Sequence, residues 1–251
     1  MTDPSRWKNC YADVVASRYG QIAQAFLKDV VEPSFQALDA QINEWSRSDY
    51  SGAPFARADV EELLHAATMA FCLSIQSTWE RQIRTYLRGC ADQLKPNSAL
   101  GKKAMKEPWD GLDSLFVDLR GISLRKFEAY QDLDLLQLFG NACCHGDGHA
   151  ARTLWHRCPD LWQHRVAPSP FGDDTEVAEE PKSIEAVVIP RDLVRRFVNA
   201  ITSFWDEAEY IYLESIERKH KSVEAKLVTM RRERAVREAQ TDRCPHSNTR
   251  P

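Results

Sequence analysis

The sequence predicts an all-α protein, and three observations carry that expectation. Only ten of the 251 residues are glycine. Apolar residues recur at steps of three and four, the helical period, instead of the strand period of two. The clearest stripe, Val60, Leu64, Ala67, Phe71, Ile75, Trp79, Ile83 and Leu87, keeps to one helical face over its whole length.

A first helical stretch is expected from about Pro4 to Trp45, with Ile22, Phe26 and Val30 on one stripe, Phe35, Leu38, Ile42 and Trp45 on the next, and Pro33 kinking or dividing it. Ser46 to Pro54 combines Ser, Asp, Gly and Pro and reads as a loop. The long core helix follows, and Gly89 with Pro96 is expected to end it. Gly101, Pro108, Gly111 and Gly121 interrupt the next stretch and leave room for a short helix near Asp113 to Arg120. Another helix is expected from about Leu124 to His145, with Leu135, Leu138, Phe139 and Ala142 on its apolar side, stopping at Gly146-Asp147-Gly148.

A short helix then reaches about Arg157, and Cys158 to Lys182, rich in Pro, Gly and acid, reads as loop. Ala186 to Ile189 has the character of one short strand. Pro190 suits the first turn of the last bundle helix, whose buried stripe is Leu193, Phe197, Ile201, Phe204, Ala208 and Ile211. We therefore expect a helical-bundle domain over residues 1–216 and a charged extension over 217–251. From Glu217 to Gln240 eight Lys or Arg stand against four Glu, a local +4 in a chain of net −4. Ile216, Val223, Leu227 and Met230 give this basic C-terminal helix a seam of about two heptads. It reads as a solvated helix projecting from the domain, as a surface for a partner protein or a second copy, or as an RNA contact.

With 43% hydrophobic residues the chain can bury a sizeable core. Its pI near 6.0 argues against a broadly basic surface that coats nucleic acid. No run of about 18 apolar residues occurs, and Met1-Thr2-Asp3-Pro4 lacks the basic and apolar regions of a secretory signal, so we expect a cytoplasmic protein without a membrane span. The seven cysteines, Cys10, Cys72, Cys90, Cys143, Cys144, Cys158 and Cys244, form an odd set without framework spacing and are expected as reduced thiols.

The stretch Leu138 to His149 is the one that looks built for more than packing. Asn141 and His145 are four residues apart and share a helical face. His145 stands at the helix end, where carbonyl dipoles attract a cation and the following glycines leave the ring approachable. Asp147 is placed to orient it. An imidazole in such a position can serve as acid or base on a ribose 2′-hydroxyl that attacks its neighbouring phosphate.

These residues resemble the HEPN superfamily, small all-α proteins whose fourth-helix motif is Arg followed four to six residues later by His, often Arg-Asn-x-x-x-His. Asn141 and His145 match its last two named positions. Glu80 and Arg84 match the Glu-x-x-x-Lys/Arg pattern that such proteins tend to carry on an earlier long helix. The resemblance spans about Val60 to Phe204, and it departs at Gly140, which stands where the motif has its arginine. What it implies is a HEPN-like bundle acting as a homodimer, a metal-independent endoribonuclease or RNA-binding protein of a prokaryotic defence or toxin-type system. The implied site comprises His145, Asn141, Asp147, Glu80 and Arg84, with no cofactor. Arg84, or Arg152 one turn into the following helix, can take over from the missing guanidinium because an Arg needs only to present its fork to phosphate oxygens.

Other readings stay open beside this one. Asn141 and His145 can simply cap a helix while Gly146 and Gly148 supply left-handed backbone, and Glu80 with Arg84 can be a plain i,i+4 ion pair, leaving a catalytically inactive interaction or scaffold protein. Cys143, Cys144, His145, His149, His156, Cys158 and His164 are dense enough to raise zinc. His145 and His149 would share a zinc ion only if one helix continued through Gly146 and Gly148, and no Cys-x-x-Cys completes a site, so no metal is expected. Trp155, Trp162 and Phe171, near His156, His164 and Arg165, either stack bases or close a core beneath a loop. No Gly-rich phosphate loop, dinucleotide fingerprint, His-Glu-x-x-His or Gly-x-Ser-x-Gly elbow is present.

Overall fold

A computed structural model describes residues 7–162 and 183–241. The expected helical class is what forms: among the described residues the elements are helices and tight turns, with no strand. Ten α-helices follow one another: α1 (Tyr11–Ala16), α2 (Tyr19–Phe26), α3 (Glu32–Ser46), α4 (Ala53–Leu94), α5 (Leu100–Ala104), α6 (Trp109–Arg120), α7 (Tyr130–His145), α8 (His149–Arg157), α9 (Arg191–Glu214) and α10 (Lys221–Thr241).

The helical stretch expected over Pro4 to Trp45, with a kink or division at Pro33, forms three α-helices. Helix α1 opens on Asp13, whose carboxylate accepts from the Cys10 backbone N–H at 2.9 Å and turns inward to the core, and it closes at Ser17, whose N–H donates to the Asp13 carbonyl at 3.2 Å. Between α2 and α3 the helix widens into one π turn at Leu27–Val31. Pro33 falls in the first turn of α3, where its missing N–H costs nothing, so no kink is seated on it.

Helix α4 is the axis of the molecule. At ~1.5 Å per residue its 42 residues span about 63 Å. It runs through Gly89 to Leu94, so Gly89 does not end it. What that glycine permits is close approach of α1: a Cβ there would lie 3.1 Å from the Ala12 Cβ. Ile75, Trp79, Ile83 and Leu87 are fully buried, as the stripe predicts. Trp79 packs edge-on against Trp109 of α6 and Phe204 of α9, and tilted against Trp205, which joins three helices in one aromatic cluster.

The glycine-rich stretch holds more helix than its spacing suggests, with α5 unforeseen and α6 beginning at Trp109. Gly121 closes α6 in the left-handed region at φ 77°. The expected strand at Ala186 to Ile189 is a correction: Ile184–Ala186 is a 3₁₀ turn, and Val187 makes an isolated antiparallel bridge to Trp162. Val188 donates to the Leu161 carbonyl at 2.7 Å, but among the described residues no neighbouring strand extends the ladder. Pro190 sits at the N-cap of α9, whose stripe packs inward as expected.

Helix α10 folds back across α9 instead of projecting. Leu227 is fully buried, and Lys226 pairs with Glu209 at 2.7 Å, Arg231 with Glu214 at 2.6 Å, and Arg234 with Glu207. Of the proposed seam, Leu227 alone is fully covered.

Candidate functional site

Helices α4 and α7 run antiparallel, with Gln137 beside Glu80 and Gly140 beside Gln76. This register places every residue of the expected site. Glu80 accepts from Gln76 at 2.6 Å, from Arg84 at 2.8 Å and from Gln137 of α7 at 3.3 Å. Burial pushes its carboxyl up, but the hydrogen bonds and charge of Arg84, with the amides of Gln137 and Gln76, outweigh that and hold it below the usual range. Arg84 also donates to the Ala104 carbonyl of α5 at 2.9 Å. The pair is thus a polar knot joining α4, α5 and α7.

The structure does not bring that knot to His145. Along α4, the level of His145 lies near Cys72, whereas Arg84 is roughly a dozen residues further on, about 18 Å at ~1.5 Å per residue. The Arg84 guanidinium therefore cannot serve the imidazole of the same chain. Asp147 also turns elsewhere: its carboxylate accepts from Ser183 Oγ at 3.1 Å and from the Ile184 N–H at 2.7 Å, anchoring the strand-like return before α9. It clamps that segment instead of orienting His145.

Gly140 explains the departure from the motif. A Cβ at this position would fall 2.3 Å from Gln76 Cγ and 2.7 Å from Gln76 Cβ, too close for any side chain unless α4 moves. Gln76 occupies the space and bonds Gln137 at 3.0 Å. The glycine and the glutamine are one packing solution to a close helix crossing, and neither residue's part in it is visible from local sequence.

Asn141 and His145 remain on their shared face, half-buried and exposed respectively, and among the described residues neither side chain has a hydrogen-bond partner. The chain then turns sharply, with Gly146 at φ 67° and the Gly148 N–H donating to the Gly146 carbonyl at 2.7 Å. Because α7 ends at His145 and α8 starts at His149, the two imidazoles are not one helical turn apart on a common helix. Among the described residues no group of three metal-ligating side chains forms; His164 lies outside them.

On α8, His149, Arg152 and His156 are exposed and share one face by their spacing. Arg152 forms no ion pair among the described residues, unlike Arg157, which is held by Asp134 at 2.6 Å. The opposite face carries Trp155, packed edge-on against Trp162 at 5.2 Å, both buried. Those two rings close a core and are not available to stack bases; Phe171 and Arg165 lie outside the described residues. Cys143, beside His145, faces the protein, and burial raises its thiol to about 11.

One feature escaped the sequence reading altogether. Asp13 and Arg120, 107 residues apart, meet at 2.7 Å with almost no exposure. The one available signal was an acid among the apolar Tyr11 to Ala16 and a base at the end of the apolar run in α6. Among the described residues no helix is long and apolar enough to cross a membrane. No known family model, curated protein or solved structure matches this chain.

Proposed function

We propose that this chain is a HEPN-type RNA-binding protein whose contact surface is the corner formed by the end of α7 and the outer face of α8. The observation that carries the reading is that exposed His145 at the end of α7 is followed, after a three-residue turn, by exposed His149, Arg152 and His156 on one face of α8, and that among the described residues none of the four is engaged in an ion pair. Such a face suits phosphate oxygens, because Arg152 offers a fork of donors and imidazole N–H groups can donate beside it. Asn141 adds a neutral donor and acceptor on the same side. The resemblance supplies the wider setting, a homodimer in a prokaryotic defence or toxin-type system.

Binding is favoured over cleavage because the place of the motif arginine is filled by Gln76, and Arg84 is committed to Glu80 and Ala104. A developing phosphorane charge at His145 would have Arg152 as its cation. The test is a mobility shift of single-stranded RNA together with incubation of total RNA in EDTA, using wild type, His145→Ala and Arg152→Ala. Retardation by wild type, weakened in both variants and steeply reduced by salt, is the expected result. Cleavage in EDTA that disappears with His145→Ala would replace the binder with a metal-independent endoribonuclease. Failure of wild type to retard RNA at low salt would remove both.

A second reading, a catalytically inactive interaction protein, is favoured by a separate observation. Tyr11, Val14, Ile22 and Val30 are exposed along α1, α2 and the π turn, apolar side chains that the bundle leaves uncovered among the described residues, while α9 packs on the Gly20 and Gln24 face of α2. Mass in solution, with and without residues 217–251, distinguishes self-association through the bundle from association through α10.

A further inference from the structure

Where α1 meets α4, two cysteines distant in sequence come together. Cys10, the N-cap of α1, and Cys90, near the end of α4, have their sulfurs 3.6 Å apart across a separation of 80 residues. The absence of a side chain at Gly89 allows the approach. A buried guanidinium completes the arrangement: Arg120 Nη1 is 3.5 Å from Cys10 Sγ and 3.8 Å from Cys90 Sγ, and it donates to the Lys8 carbonyl at 2.8 Å. Arg120 itself is held by Asp13 and by the face of Trp7, 3.8 Å below it. Its Nε has no partner among the described residues.

The two thiols differ in access. Cys90 is buried, whereas Cys10 is half-exposed. An anion on Cys10 would meet a hydrogen bond from Cys90, the Arg120 cation and the Ala12 backbone N–H, opposed by burial and by Asp13; the balance brings this thiol down to about 7. Cys90 is pushed up, first by the same hydrogen bond and then by burial, and so keeps its proton. At neutral pH Cys10 is accordingly the more readily ionised thiol of the pair.

We infer that Cys10 and Cys90 form a peroxide-reactive dithiol site, with Cys10 the attacking thiolate, Cys90 the resolving thiol and Arg120 the residue that positions charge beside both. Cys10 sulfur attacks the O–O bond of hydrogen peroxide, a sulfur–oxygen bond forms and hydroxide leaves, taking a proton to become water. Two electrons pass from sulfur to peroxide, and Cys10 becomes a sulfenic acid. Cys90 then attacks that sulfur; the disulfide forms, the sulfur–oxygen bond breaks, and the departing hydroxide takes the Cys90 proton as a second water. Two thiols and one peroxide give one disulfide and two waters. The sulfurs need to approach from 3.6 Å to about 2.05 Å, within reach of side-chain rotation. The product staples the N-terminal segment carrying α1 to the central helix.

The experiment uses the full chain, reduced, freed of reductant and exposed to stoichiometric hydrogen peroxide near pH 7.5. Remaining thiols are then blocked, and peptides are mapped without reduction. The expected product is a Cys10–Cys90 cross-linked peptide as the main oxidised species, reversed by dithiothreitol. In Cys90→Ser the expected product is a sulfenic acid on Cys10, captured by dimedone. The proposal is overturned if Cys10 and Cys90 are recovered as free thiols while the exposed Cys144 is oxidised. Wild-type mapping decides the matter even if Cys90→Ser does not fold.

Discussion

Asp13 gathers more buried donors than any other side chain described here. Its carboxylate accepts from Arg120 at 2.7 Å, Tyr86 Oη at 2.8 Å, the Cys10 backbone N–H at 2.9 Å and Trp7 Nε1 at 3.3 Å. Truncating one member of a buried ion pair leaves the other charge without compensation, which costs about 3–5 kcal/mol. Asp13→Ala is therefore expected to lower the unfolding free energy by about that amount in urea titration, with Arg120→Met milder because Tyr86, Trp7 and the Cys10 N–H still donate to the carboxylate it leaves behind. Equal small losses in both would mean water reaches the site. Gly140 supports a prediction of opposite character. In a helix interior Gly→Ala normally gains about 1 kcal/mol, but overpacking against Gln76 costs about 1–3 kcal/mol. Gly140→Ala should be net destabilising, and adding Gln76→Gly should recover part of the loss, a non-additivity that a double-mutant cycle measures directly. Restoring the motif with Gly140→Arg should weaken folding further and bring no RNA cleavage.

At the level of elements, what was legible depended on period and length. The α4 and α9 stripes were readable because their apolar residues repeat over many turns, and α8 because Gly148 precedes it and Pro159 follows it. The burial of Asp13 in α1 was not, since it leaves the local pattern to meet Arg120, a residue 107 positions away. The strand expected at Ala186 to Ile189 failed for a related reason: β-branched residues there fill the core beside Trp162 without a second strand to pair with. Of the candidate site, the helix end at His145 and the turn after it were legible. The destinations of Glu80, Arg84 and Asp147 were not, because each is fixed by a residue on another element. Helix α10 offers a test at this scale. Its ion pairs to α9 are partly exposed and contribute little individually, whereas burying Leu227 is worth about 1.5–3 kcal/mol. Leu227→Asp should abolish amide protection across residues 221–236 in hydrogen exchange and leave α4 and α7 protected. Loss of protection throughout would show α10 to be integral to the bundle.

Across the whole molecule, arginines hold carboxylates within and between helices, two of the pairs joining α9 to the distant α3. Arg195 joins α9 to Glu32 of α3 at 2.6 Å, Arg191 joins it to Asp39, Arg231 joins α10 to Glu214, and Arg84 holds Glu80 within the α4, α5 and α7 knot. For Glu32, Asp39 and Glu214 the hydrogen bond from the arginine is the chief cause of a lowered carboxyl. Glu80 is lowered despite burial. A carboxyl depressed in the folded state binds its proton less readily there than in the unfolded chain, so it stabilises the fold above the unfolded value of about 4.3 for Glu or 3.9 for Asp. That stability drains away as pH falls through the folded values. The urea midpoint should thus vary little on this account between about pH 5 and 8 and drop progressively below about pH 4.5. The bridges with exposed arginines are screened by salt, so their share of the acid loss should shrink in concentrated salt, while that of Glu80, whose partner Arg84 is the least exposed of these arginines, should persist. Glu80→Gln keeps an acceptor for Arg84 but no longer titrates; its stability should start lower at neutral pH and fall less steeply between pH 5 and 3. If the variant and wild type instead fall in parallel over that range, the knot between α4 and α7 contributes nothing to acid sensitivity, and the arginine bridges to α9 and α10 are left to account for it.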